Sequence, residues 1–94
     1  MEPKTRQEKL QSLFQLLASI DQPEDISALF DDLCTIKELE NMAERLYAAQ
    51  LLMEGNTYNQ VMAQSEISSA TLSRVSRCVQ YGSGYTKVLK SYEI

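Results

Sequence analysis

The stretch TYNQVMAQSEISSATLSRVSRCVQ, residues 57–80, decides how the chain folds. Thr57 and Gln60 stand three apart, the spacing of a capping box in which each side chain satisfies a free amide of a helix's first turn. A short helix carrying Val61 and Met62 then runs to about Ser65, and Glu66 to Ser68 form a turn. Ser68 or Ser69 caps a second helix, with Leu72, Val75 and Val79 facing inward. The turn is too tight for an ordinary helical hairpin, so the pair reads as a helix-turn-helix.

Opposite its apolar face the second helix presents Ser69, Ala70, Ser73 and Arg77. A helix is ~10–12 Å across with its side chains and the DNA major groove is ~12 Å wide, so bulky residues at the leading end would hold the helix out. Serine and alanine do not. Their hydroxyls can meet base edges or phosphates, and Ala70 or the Thr71 methyl can meet a thymine methyl. Ser69, Ala70, Thr71, Ser73 and Arg77 are therefore the expected DNA contacts, with Lys87 a further cation suited to the phosphate backbone. The competing reading is a plain helical hairpin with a polar, solvated face.

Outward from this motif the pattern stays helical, and the expected class is all-α with six helices. Thr5 and Glu8 form another capping pair, ahead of a stripe of Leu10, Leu13, Phe14, Leu17 and Ile20. Asp21 is the expected cap of a second helix, with Pro23 in its first turn and Ile26, Leu29, Phe30 and Leu33 on one face, ending near Cys34. Thr35 and Glu38 open the longest helix, whose apolar positions include Leu39, Met42, Leu46, Ala49, Leu52 and Met53 and which stops at Gly55. Gly82 and Gly84 end the motif's second helix, and Tyr85, Val88, Leu89 and Tyr92 mark a short terminal one.

Ninety-four residues make one small domain, 1–94, and a core this size is marginal alone. The stripes of the first three helices exceed what a thin helical layer can cover, so a homodimer is expected, against the alternative of a compact monomeric bundle. The net charge of −4 at first argues against nucleic acid, but its distribution does not. Residues 1–56 hold five Lys/Arg against eleven Asp/Glu, whereas residues 57–94 hold Arg74, Arg77, Lys87 and Lys90 against Glu66 and Glu93. The positive surplus lies with the motif.

With no histidine, and with Cys34 and Cys78 lacking paired-ligand spacing, no metal site, disulfide framework or catalytic constellation is expected. The two thiols are expected to be buried. Asp31 and Asp32 read as solvated acids rather than a catalytic pair. No apolar stretch approaches the ~18 residues of a membrane span, and the polar start of the chain fits a cytoplasmic protein with no membrane partner.

Leu33-Cys34-Thr35, the long helix with Arg45, Gly55, the short helix and Ala70-Thr71-Leu72-Ser73-Arg74 resemble the Trp repressor family in order and spacing, over roughly residues 24–90. Within it the chain is most similar to the YerC/YecD subgroup. The resemblance implies an intertwined all-α homodimer with two helix-turn-helix heads that represses transcription from operator DNA. It also implies that Ala70, Thr71 and Ser73 read bases, with Ser69 beside them, and that Thr35, Arg45, Arg74 and Cys78 mark a corepressor pocket. A guanidinium plane can stack on an aromatic ring and its fork can pair with a carboxylate. The chain departs from the family pattern where Val75 replaces a glycine, Cys78 a serine and Asp32 an apolar wall residue, and packed interiors do not yield room for a ring cheaply. No cofactor is expected, and of small-molecule corepressors L-tryptophan is disfavoured. The functional alternative is a helical protein-interaction module that does not bind DNA.

Overall fold

The computed structural model describes residues 2–92; Met1, Glu93 and Ile94, the ends of the expected 1–94 domain, lie outside the described residues. Those residues form six helices: α1 (Arg6–Ser19), α2 (Pro23–Leu33), α3 (Ile36–Met53), α4 (Tyr58–Gln64), α5 (Ser69–Tyr81) and α6 (Gly84–Ser91). The all-α expectation holds, and the chain divides into two compact units, Met1–Ile36 and Lys37–Ile94.

In the first unit, α1 opens on the capping box expected from sequence. Thr5 Oγ1 accepts the Glu8 amide at 3.1 Å while the Glu8 carboxylate accepts the Thr5 amide at 2.9 Å. Hydrogen bonding by Thr5, from its backbone amide first and its side chain second, holds the Glu8 carboxyl below the ordinary glutamate range. At α2 the cap differs from expectation: Gln22, not Asp21, is the N-cap, and its side chain makes no capping bond. Pro23 is the reason. Proline suits the first helical position, where no amide partner is lost, and this makes the residue just before it the cap. The Gln22 carbonyl accepts the Asp25 and Ile26 amides at 3.1 and 3.3 Å. Neither α1 nor α2 holds a buried residue, and Phe14 and Leu33 are 61% and 51% exposed.

The second unit contains the core: Ala48, Ala49 and Leu51 of α3, Val61 of α4, Ile67 of the turn, and Leu72 and Val75 of α5. Leu52, Met62, Val79, Tyr85 and Leu89 pack around it. The expected α3 stripe is thus split along its length. Met42 and Leu46 are exposed, and burial concentrates at 48–51, where two alanines let neighbouring helices approach closely.

Gly55 ends α3 as its spacing predicts. With φ +97 it occupies the left-handed region, its amide donates to the Leu52 carbonyl and the Asn56 amide to that of Leu51, both at 3.1 Å. This is a Schellman closure, and the Asn56 side-chain amide adds a bond to the same Leu51 carbonyl at 2.9 Å. A Cβ at position 55 would meet open space, so the preference for glycine there is conformational rather than steric. The closure turns the chain sharply into α4 and so fixes where the next helix begins.

Cys34 and Cys78 are free thiols, half-buried rather than buried as expected. Each sits at a helix edge, Cys34 as the C-cap of α2 and Cys78 on the flank of α5, which leaves one side open.

Candidate nucleic-acid interface

The α4–turn–α5 segment is pinned at three levels, each traceable to local residues. Thr57 and Gln60 form the expected capping box: Thr57 Oγ1 accepts the Gln60 amide at 3.2 Å and Gln60 Oε1 accepts the Thr57 amide at 2.7 Å. Beneath the turn, Ile67 is buried with Leu72 and Val75, an apolar plug that ties the turn to the core. At the start of α5, Ser68 is the cap, its Oγ accepting the Thr71 amide at 3.2 Å and donating to Thr71 Oγ1 at 2.9 Å.

This anchoring sets the two faces of α5. Leu72 and Val75 are almost fully buried, while Ser69, Ala70, Ser73, Arg74 and Arg77 are exposed. At ~100° per residue, Ser69, Ala70, Ser73 and Arg77 fall within about a quarter of the helix circumference, so the structure brings four of the five expected DNA-contacting residues onto one outward strip. Thr71 does not share it. It is half-buried on the flank, where Arg74 and Cys78 follow at i+3 and i+7.

Two further polar ties hold the segment, one from α3 and one between α4 and α5, and sequence periodicity carries no trace of either. The Glu66 amide donates to Glu44 Oε2 of α3 at 3.2 Å. The Tyr58 hydroxyl, from the first residue of α4, lies 2.7 Å from the Ser69 carbonyl oxygen and 2.8 Å from Ser69 Oγ. Between α3 and the turn a polar groove of about 300 Å³ is lined by residues that include Arg45, Glu44, Glu66 and Thr71. Of the residues marked for a corepressor pocket, only Arg45 lines this groove; Arg74 and Cys78 lie elsewhere on α5, and Thr35 precedes α3 in the first unit. Val75, at 1% exposure, fills core space.

Among the described residues no group of three acids or cysteines could hold a metal ion, and no helix is long and apolar enough to cross a membrane.

Residues 8–93 match the family model described as Trp repressor protein. The chain is 44% identical over 79 residues to the uncharacterized protein YerC of Bacillus subtilis (strain 168), a match covering 84% of this chain and 76% of that one. Two crystal structures are similar throughout. A candidate Trp repressor from Staphylococcus aureus has TM-score 0.83 at 34% identity and covers 94% of both chains. A TrpR-like protein from Eubacterium eligens ATCC 27750 has TM-score 0.83 at 33% identity, covering 89% of this chain and 88% of its own.

Proposed function

Because the chain belongs to the Trp repressor family, we propose that it is a cytoplasmic, sequence-specific DNA-binding regulator that represses transcription as a homodimer, reading operator duplex through the helix-turn-helix of α4 and α5. The observation that carries this reading is the outward strip of α5. Ser69, Ala70 and Ser73 make it slim enough for the major groove, and Arg77 supplies a cation one turn beyond Ser73 for the phosphate backbone. Thr71 contributes from the flank, its methyl or hydroxyl reaching the groove edge. The role is regulatory rather than catalytic.

The homodimer rests on apolar side chains left in water by a single chain. Phe14, Leu33 and Ile36 are 61%, 51% and 79% exposed, and Leu10, Leu16, Met42 and Leu46 are also exposed. So many large apolar groups on successive helices call for a partner surface, and a second copy supplies the same stripes in return.

The proposed protein reads DNA without L-tryptophan. Val75 occupies core volume that a ring-binding pocket would have to vacate. The exposed guanidinium groups of Arg45 and Arg74 leave room for regulation by another small molecule, but none is required for the reading strip to be exposed.

Selection of duplexes from a random pool, with and without L-tryptophan, tests this function. The expected product is a palindrome whose half-sites lie about one helical turn, ~34 Å, apart, enriched equally in both arms. A pool that stays random at low salt would refute DNA reading, and enrichment only with tryptophan would refute the effector-free mode.

A further inference from the structure

We propose that Tyr58 is the positioning residue of the reading helix, and that its phenol dictates which hydrogen-bonding character Ser69 turns toward DNA. This rests on the DNA-reading function proposed above and adds a specificity determinant to it. The phenol hydroxyl has one proton and two short contacts, the Ser69 carbonyl at 2.7 Å and the Ser69 hydroxyl at 2.8 Å. The carbonyl has no proton, so the phenol must donate to it; otherwise two lone-pair oxygens would face each other at that distance. The phenol oxygen is then the acceptor in the second contact, and the Ser69 hydroxyl is its donor.

A serine whose proton is directed inward offers only lone pairs outward. Those lone pairs match the amino groups that adenine and cytosine present in the major groove. They are mismatched to phosphate oxygens, to guanine O6 and N7 and to thymine O4, which are acceptors themselves. Ser69 is exposed at the leading end of α5, so its inherited polarity selects a base edge rather than the backbone. The same pair of bonds spans eleven residues across the turn, joining the first residue of α4 to the first of α5. With Ile67 buried under the turn, the entry angle of α5 is fixed before DNA arrives, which removes an ordering cost from binding.

The test uses the full chain with Tyr58→Phe, which deletes one oxygen from a residue 37% exposed and so leaves the core untouched. Amide hydrogen exchange in the free protein and affinity for preferred and scrambled duplexes are measured together. Tyr58→Phe is expected to speed exchange of the first amides of α5 several-fold and to lower the ratio of preferred to scrambled affinity about tenfold, at unchanged salt slope. Ser69→Ala keeps the phenol-to-carbonyl bond, so it should leave exchange as in the wild type while losing discrimination at the base pair facing position 69. A wild-type affinity ratio in Tyr58→Phe, alongside a wild-type protein that does prefer a site, overturns the positioning role alone. A wild-type protein with no preferred duplex overturns the DNA-reading function, and this role with it.

Discussion

Replacing Ser73 with tryptophan is expected to cut affinity for a selected operator by at least about a hundredfold, towards the level of non-specific binding, while the protein stays folded. Ser73 is exposed at the centre of the outward strip, one turn beyond Ser69 and one before Arg77. An indole there adds a bulky ring to a helix that, at ~10–12 Å across, already fills a groove ~12 Å wide. Arg77, Lys87 and Lys90 remain, so weak, salt-sensitive attachment to any duplex should persist. The fold should be spared because substitutions at exposed sites away from caps and cores usually change stability by no more than ~0.5 kcal/mol. Circular dichroism beside a binding titration separates the two effects. Unchanged operator affinity in Ser73→Trp would mean that another surface reads the DNA.

Leu72→Ala should instead act through the fold. Leu72 is fully buried among Val61, Ile67 and Val75, with Ala48, Ala49 and Leu51 contributed by α3. Truncating such a leucine removes transfer free energy and leaves a cavity, together about 2–5 kcal/mol. Against the ~5–15 kcal/mol of a whole small protein this is a large share, and it should lower the thermal midpoint by roughly 10 °C or more. Operator binding should weaken only as the folded fraction falls. A midpoint within a degree or two of the wild type would show that Leu72 is not the keystone that holds α5 with its polar strip outward.

The contrast between Leu72 and Ser73 is legible in the sequence, because it depends only on the repeat of one helix. Thr5 with Glu8, Thr57 with Gln60, and Gly55 as a stop are equally local signals, each involving groups a few residues apart. Where two local signals compete, residue type alone misplaces a boundary by one position: Asp21 is the better cap by type, yet Pro23 makes Gln22 the cap by position. Pairings across the turn leave no periodic trace. Neither the reach of Tyr58 to Ser69 nor that of Glu44 to the Glu66 amide follows from residue type or spacing. Burial of Ala48 beside Ala49 is hidden for a related reason, since small side chains mark close approach only once the partner helix is known. Of the residues marked for a corepressor, Arg45 lies in the groove beside the turn.

Sedimentation velocity of a labelled duplex carrying the selected site, at rising protein concentration, weighs dimer and DNA reading together. The proposed architecture requires one boundary in which two chains travel with each duplex, and its loss when the half-sites are scrambled. Single chains sedimenting past a duplex that never changes its own rate would contradict it.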